Sequence, residues 1–188
     1  MSFPVFFDTC TIYGEIVNDL ILRLAEERFF TPYWSEGVLS ELHKNLVPRV
    51  GKRRADRRIY AMTAAFPDAT ITGYENLIQK MTCDEKDRHV LAAADHSPAQ
   101  TLVTFNLKDF PKSSTEPLDI ETKHPDDFLL DVFDLAPGRV AGICYAALLS
   151  YKEYPQTPED YVFMLQQSGL PYFSRILYPA LAALNEQR

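Results

Sequence analysis

The sequence predicts an α/β fold with a central parallel sheet, followed by a helical extension. Four short apolar segments, at residues 3–7, 30–34, 69–74 and 101–105, have the aromatic or β-branched composition of buried strands. Helical patterns, with apolar residues three and four positions apart, separate these segments. Such an alternation is typical of a sandwich in which helices flank a parallel sheet, and only helical patterns follow residue 128.

The first strand, over residues 3–7, ends at Asp8 and Thr9, where a turn into a helix begins. Apolar residues then recur on one side of a helix over 16–29, and a second short strand follows over 30–34. Parallel sheets bind ligands at the edge formed by the carboxyl ends of their strands. We therefore expect Asp8 to lie at the ligand-binding edge of the sheet.

A second helix carries the next acidic residue. Ser35 is a good helix cap, and Glu41 lies outside the apolar stripe that this helix buries. The stripe consists of Val38, Leu39, Leu42 and Leu46. A basic segment then continues as a helix as far as Pro67, and the third strand follows over 69–74.

The next helix is expected to begin near Asp84, because Asp84 can cap it and neighbouring acids favour a helix amino terminus. The fourth strand follows over 101–105, and a polar loop is expected over 112–128. Asp126 is predicted to cap the first of several C-terminal helices. The pattern thus divides the chain into a first domain, residues 1–128, and a helical extension, residues 129–188.

The composition indicates a folded protein of one main core. The chain has 188 residues, of which 46% are hydrophobic and 12% aromatic, and this excludes a disordered protein. No basic leader precedes the N-terminal apolar residues, and no stretch approaches the roughly 18 apolar residues that span a bilayer. Three distant cysteines support neither a disulfide framework nor a zinc site. We expect a cytoplasmic protein without a membrane partner.

The charge is segregated along the chain. The net charge is −7, but residues 43–58 carry seven Lys or Arg and one Asp, so this segment is +6 and the remainder is −13. The basic residues nearest to Glu41 are expected to contact a nucleic-acid backbone. These residues are Lys44, Arg49, Lys52, Arg53 and Arg54. The alternative interpretation is a solvated helix face.

Acidic residues adjoin four separate apolar segments. They are Asp8, Glu41, the pair Asp84 and Asp87, and Asp109. If the fold brings these carboxylates to one sheet edge, they repel each other unless a hard cation binds them. The four histidines lack zinc-binding spacing, so Mg²⁺ or Mn²⁺ is the expected ion. Taken singly, each acid could instead cap a helix or face solvent.

The segments FFDTCTIY, SEGVLSEL, DEKDRHVLAAA and LVTFNLKDF stand in the order and spacing of a PIN domain. The chain resembles this nuclease family over residues 3–128, and in particular the VapC toxins or a close relative. The resemblance implies a PIN-like three-layer sandwich. It also implies that Asp8, Glu41 and Asp87 are the catalytic, metal-binding acids. Asn106 stands where the family often has an acid, and as a neutral oxygen donor it can still bind the metal or its water. Asp84 can restore the missing charge, and Asp109 is a further candidate ligand.

The resemblance further implies a metal-dependent endoribonuclease, a hydrolase that forms the toxin of a toxin–antitoxin pair. An RNA substrate, a partner antitoxin and a homodimer are then expected. Thr9 and Thr104, near the predicted strand ends, are expected to hold a ligand or water from behind. Two alternatives stay open: a catalytically weak PIN-like module that binds RNA or protein, and a metal-dependent phosphatase.

Overall fold

The computed structural model describes residues 2–187, which form a five-stranded sheet flanked by helices. The strand order is β3-β2-β1-β4-β5, and every neighbouring pair is parallel. The strands are β1 (Phe3–Phe7), β2 (Phe30–Ser35), β3 (Thr70–Ile71), β4 (Thr101–Val103) and β5 (Glu121–Lys123). The predicted α/β fold with a central parallel sheet is confirmed.

Eleven α-helices are found within residues 2–187, and two short 3₁₀ turns accompany them at Leu107–Asp109 and Glu116–Leu118. The helices of the first part are α1 (Thr9–Tyr13), α2 (Glu15–Glu26), α3 (Glu36–Val50), α4 (Lys52–Ala65), α5 (Glu75–Ile78), α6 (Arg88–His96) and α7 (Lys112–Thr115). The C-terminal helices are α8 (Pro125–Leu135), α9 (Pro137–Ser150), α10 (Pro158–Gln167) and α11 (Pro171–Glu186).

The order of the strands places a crevice at the centre of the sheet. The chain builds β2 and β3 on one side of β1, and then β4 and β5 on the other side. In parallel α/β sheets, ligands bind at the carboxyl ends of the two neighbouring strands from which the chain proceeds to opposite sides of the sheet. Here that point lies between β1, which is followed by Asp8, and β4, which is followed by Thr104.

An aromatic cluster joins the C-terminal helices to the sheet. The ring of Phe128, in α8, lies 5.7 Å from that of Phe7 and 5.0 Å from that of Phe30. All three side chains are buried. Because burying an aromatic ring removes a large apolar area from water, α8 belongs to the core of the sheet rather than to a separate body.

Three predictions about strands and loops need correction. The third strand covers only Thr70–Ile71 rather than 69–74, and the fourth ends at Val103 rather than at 105. The polar loop predicted over 112–128 is wrong, because it contains α7 and the strand Glu121–Lys123. This strand has no apolar alternation, since it is an edge strand held by its ladder to β4.

Two predicted helix caps are also wrong. Residues 84–87 form a turn, and α6 begins at Arg88, with Asp87 rather than Asp84 at the cap position. Helix α8 is capped by His124, whose ring accepts a hydrogen bond from the backbone N–H of Asp126. The buried carboxylate of Asp126 instead accepts hydrogen bonds from the backbone N–H groups of Tyr172 and Phe173 at the start of α11.

The C-terminal helices pack on one another and on α2. Within residues 2–187, no single helix is both long and apolar enough to cross a membrane. Helices α8 and α9 reach the required length and apolar content only when they are taken together, and the chain bends by 118° at their junction. The three cysteines are free, and two of them are buried.

Candidate active site

Carboxylates from three distant segments line one cleft at the carboxyl ends of β1 and β4. The cleft has a volume of about 380 Å³ and is lined by Asp8, Thr9, Cys10, Tyr13, Glu41, Asn45, Asp87 and Asn106. The three acids predicted to be catalytic therefore lie together, with Asn106 beside them. The fold does this because β1 and β4 are neighbours, while α3 and α6 begin next to the same sheet edge.

Asp8 is the most deeply placed of the acids, with 5% of its surface exposed. Its Oδ2 accepts hydrogen bonds from the Sγ of Cys10 at 2.9 Å and the Oγ1 of Thr104 at 2.8 Å. Burial raises the pKa of Asp8, and these hydrogen bonds oppose that rise. The carboxylate is thus held in one orientation by residues behind it.

Cys10 is a thiol and not a thiolate at this site. Burial, together with the negative charge of Asp8, raises the pKa of Cys10 to about 12. Its Sγ also accepts a hydrogen bond from the backbone N–H of Phe105 at 3.3 Å. Cys10 therefore joins the loop after β4 to Asp8.

Glu41 reaches the cleft from the exposed side of α3. Its Oε2 accepts a hydrogen bond from the Oγ1 of Thr9 at 2.8 Å and lies 3.8 Å from the Nε2 of His89. A Cβ atom at Gly37 would lie 2.7 Å from the hydroxyl oxygen of Tyr74 and 3.0 Å from the Nδ1 of His89. Gly37 therefore lets α3 pack closely against the histidine that neighbours Glu41.

Asp87 has the most strongly perturbed carboxylate in the cleft. Partial burial raises its pKa to about 6, and the negative charges of Asp8, Asp109, Asp84 and Glu41 contribute to the rise. Such a shift is typical of functional sites, because both burial and neighbouring like charges disfavour the ionised carboxylate.

The remaining predicted ligands lie at different distances from the cleft. Asn106 lines it, and its backbone N–H donates to the Oγ1 of Thr104 at 3.0 Å. Asp84 and Asp109 do not line the cleft but lie close enough to Asp87 to raise its pKa. The backbone N–H of Asp84 donates to the carbonyl oxygen of Asp109 at 3.4 Å, which joins the two loops beside the site.

The predicted RNA-binding residues all lie on α3 and α4, and none of them lines the cleft. Lys44, Arg53 and Arg54 are exposed on α3 and α4. Lys52 pairs with Asp56 at 2.6 Å, so its charge is partly compensated. The guanidinium carbon of Arg49 lies 5.7 Å from the ring centre of Tyr13, a cleft residue. Arg49 therefore contacts a residue of the cleft wall through this cation–π interaction.

Sequence reasoning missed several residues of the cleft. Cys10, Tyr13 and Asn45 line it, and His89 stands behind Glu41. No local pattern marks these residues. Cys10, for example, contacts residues 94 and 95 positions away along the chain. Such contacts are set by the packing of the elements.

Comparison with protein families matches residues 4–108 to a model described as PIN domain. This match covers more than half of the chain. The chain belongs to the PIN domain family. A second model, described as VapC50 C-terminal domain, matches residues 125–179. The predicted resemblance to the PIN family, and to its VapC group, is therefore confirmed.

A curated protein of Mycobacterium tuberculosis, named "Putative ribonuclease VapC50", is 40% identical to this PIN domain chain over 111 residues. The aligned part covers 57% of the chain and 65% of that relative, which is less than two thirds of its length. Comparison with solved structures gives no significant match.

The C-terminal match begins at 125, where α8 also begins. The predicted boundary between residues 128 and 129 falls within this helix, whose Phe128 packs in the sheet core, and it stays a prediction.

The donors of the cleft suit a hard divalent cation. They are carboxylate and amide oxygens, which Mg²⁺ and Mn²⁺ prefer. Within residues 2–187, no three His, Cys, Asp or Glu side chains stand at a spacing that would hold an ion directly. The chemistry of these donors nevertheless fits such a cation. In the structure, Asp8 accepts a hydrogen bond from Thr104, and Glu41 accepts one from Thr9.

Proposed function

We propose that this PIN domain protein is an endoribonuclease that hydrolyses RNA phosphodiester bonds with a divalent cation, Mg²⁺ or Mn²⁺. The observation that carries the proposal is the single cleft lined by Asp8, Glu41, Asp87 and Asn106. The name of the relative, "Putative ribonuclease VapC50", supports the same class of reaction.

In this proposal Asp8, Glu41 and Asp87 hold the cation, and the amide oxygen of Asn106 completes the donor set. The bound cation supplies a water of lowered pKa as the nucleophile and stabilises the charge that develops at phosphorus. Asp84 and Asp109 add negative charge at the rim and strengthen the attraction for the cation.

The residues behind the acids keep the carboxylates oriented. Thr104 and Cys10 donate to Asp8, and Thr9 donates to Glu41, so each carboxylate has one oxygen fixed by the protein. Positioned carboxylates lose little conformational entropy when they bind a cation or orient a water. Lys44, Arg49, Lys52, Arg53 and Arg54 hold the RNA backbone beside the cleft.

The test is cleavage of a mixed pool of structured and single-stranded RNA by purified protein in Mg²⁺, Mn²⁺ or EDTA. We expect cleavage in the metals only, and its loss in Asp8→Asn, Glu41→Gln and Asp87→Asn. The control variant Asp68→Asn removes an exposed carboxylate from a turn outside the cleft. Cleavage in EDTA, or full activity of an Asp8→Asn variant, would refute the proposal.

The partner protein and assembly follow from the VapC resemblance. We propose that the chain is a toxin that pairs with an antitoxin, forms a homodimer and acts in the cytoplasm. Light scattering of the purified protein tests the dimer. Growth arrest on expression of the wild type, but not of Asp8→Asn, tests the toxin assignment.

One observation favours the second candidate, a catalytically weak module that binds RNA or protein. One oxygen of Asp8, Oδ2, already accepts hydrogen bonds from Cys10 and Thr104, and within residues 2–187 no three His, Cys, Asp or Glu side chains stand at ion-binding spacing. RNA affinity that is independent of metal and unchanged by Asp8→Asn, without cleavage, would establish this module instead.

A further inference from the structure

A second and larger cavity lies between α2, α3 and α4, next to the acidic cleft. Its volume is about 550 Å³, within the range of pockets that hold a small ligand. Ser150 and Tyr151, at the end of α9, contribute to its wall, so both matched parts of the chain build it. None of the roles proposed above uses this cavity as a binding site.

The cavity walls carry an excess of positive charge. Four arginines and two carboxylates line them, which leaves a net charge of +2 in a chain whose net charge is −7. The arginines are Arg23, Arg54, Arg57 and Arg58, and the carboxylates are Glu15 and Asp19.

The carboxylates do not neutralise every arginine. Asp19 accepts from the Nε of Arg23 at 2.9 Å and lies 3.5 Å from the hydroxyl of Tyr151. Within residues 2–187, neither Arg54 nor Arg57 has a carboxylate partner within 4.0 Å. Two guanidinium groups are therefore free to bind an anion, and a guanidinium matches the oxygens of a phosphate group in two parallel hydrogen bonds.

Two buried polar atoms of the cavity have no hydrogen-bond partner among the residues that the structure describes. Asn18 is 6% exposed, and its Oδ1 accepts no hydrogen bond from these residues; the Nε of Arg58 is also buried and donates none to them. Arg58 is held in place by its Nη2, which donates to the carbonyl oxygen of Ile12. Buried polar groups normally have partners, so these atoms indicate an acceptor and a donor provided for a ligand.

The cavity and the acidic cleft share one wall. Tyr13 lines the cleft and Glu15 lines the cavity. On α3, Asn45 faces the cleft while the next residue, Leu46, faces the cavity. The guanidinium carbon of Arg49 lies 5.7 Å from the centre of the Tyr13 ring, which lines the cleft. A nucleic-acid strand bound in the cleft can therefore reach the cavity across this shared wall.

We infer that this cavity binds one nucleotide of the RNA substrate at a position beside the scissile phosphate. Arg54 and Arg57 bind its phosphate, and the Oδ1 of Asn18 accepts a hydrogen bond from a ribose hydroxyl or a base N–H. This assignment rests on the proposed ribonuclease function, because it takes the occupant of the cleft to be RNA.

Fluorescence anisotropy of a labelled single-stranded RNA of mixed sequence tests the assignment, with EDTA present so that the RNA is not cut. The variants are Arg54→Gln, Arg57→Gln and Asn18→Ala, each compared with the wild type over a series of salt concentrations. Arg53→Gln is the matched control, because it removes the same charge from the same helix but outside the cavity. Thermal unfolding of each variant checks that it is folded.

We expect Arg54→Gln and Arg57→Gln each to weaken binding about tenfold, and Arg53→Gln about twofold, since charge-assisted hydrogen bonds are stronger than diffuse attraction. Loss of one phosphate contact lowers the slope of log affinity against log salt by about 0.7 for a single strand. Asn18→Ala is expected to weaken binding about fivefold with an unchanged salt slope, because it removes a neutral contact.

Equal effects of the three arginine variants, or no effect of Asn18→Ala, would show that the basic helix attracts RNA without a nucleotide pocket. If nucleoside 5′-monophosphates bind with this dependence while RNA does not, the ligand is a free nucleotide and the RNA assignment is overturned. RNA binding with the expected pattern, but without metal-dependent cleavage, would support the pocket and refute the ribonuclease proposal. Absence of any RNA or nucleotide binding would refute the pocket, whereas the ribonuclease proposal is tested separately by metal-dependent cleavage.

Discussion

Replacing Asp87 by asparagine is expected to stabilise the metal-free protein while abolishing its metal-dependent cleavage of RNA. The substitution keeps the size of the side chain and removes one negative charge from the cleft. Asp87 occupies the cap position of α6 but makes no side-chain capping hydrogen bond, so the variant loses no such bond. Its main effect is therefore to remove the cost of partly burying a charge, together with the repulsion from the other acids.

The magnitude follows from the pKa of Asp87. Partial burial and the charges of Asp8, Asp109, Asp84 and Glu41 raise it from 3.8 to about 6. At about 1.4 kcal/mol per pKa unit, this shift corresponds to an upper limit of about 3 kcal/mol. Because the side chain is only partly buried, solvent screening reduces the expected effect to about 1 kcal/mol.

The sign of the pH dependence is set by the raised pKa. The unfolded chain releases the Asp87 proton near pH 3.8, whereas the folded chain holds it to about pH 6. The folded state binds more protons between these values, so the free energy of unfolding falls as the pH rises through this window. The loss of stability caused by the ionised Asp87 carboxylate is complete above about pH 7. The Asp87→Asn variant avoids this loss because its amide side chain carries no charge.

The assay is thermal and urea unfolding of wild type and Asp87→Asn in EDTA from pH 4 to pH 8. We expect no stability difference near pH 4 and about 1 kcal/mol in favour of the variant at pH 8, or about 2–4 °C for a chain of this size. The control Asp68→Asn is expected to change stability by less than about 0.5 kcal/mol. A variant less stable than the wild type at pH 8 would refute the charge argument.

Three further predictions concern residues that support the site. Gly169→Ala is expected to cost about 1–3 kcal/mol and to slow cleavage, because φ is +87° and the new Cβ would lie 2.8 Å from Cε1 of Phe105, beside the cleft loop. Asp126→Ala is expected to cost about 2–3 kcal/mol in urea unfolding, since two backbone N–H groups of α11 lose their acceptor. Thr104→Val is expected to cost about 1–2 kcal/mol and to lower the cleavage rate, because Asp8 loses a hydrogen bond of 2.8 Å.

Each of these variants has a matched control. Gly138→Ala introduces a Cβ with no neighbour within 4 Å and is expected to be neutral or slightly stabilising. Thr104→Ser keeps the hydroxyl and is expected to retain cleavage, which separates the hydrogen bond from the volume of the side chain. Asp126→Asn keeps one acceptor oxygen and is expected to be less damaging than Asp126→Ala. Equal losses of stability or cleavage rate in a variant and its control would refute the role proposed for the corresponding contact.

The sequence determined the fold class and the order of most elements, because side-chain periodicity is a local property of the chain. The apolar run at residues 3–7 predicts β1, and the periodicity after Ser35 predicts α3, whose Glu41 lies outside the buried stripe. The position of Asp8 at the end of a strand also follows from local pattern. Local pattern failed at β5, because an edge strand is held by backbone pairing to β4 and needs no apolar alternation.

Only the tertiary structure decided how the acids are held and what surrounds them. The hydrogen bond between Asp8 and Thr104 joins residues 96 positions apart, and the raised pKa of Asp87 depends on charges from distant segments. The role of Asp126 at the start of α11 and the arginine-lined cavity also arise from the packing of distant helices. Such properties depend on distance and burial in space, and spacing along the chain does not specify either quantity.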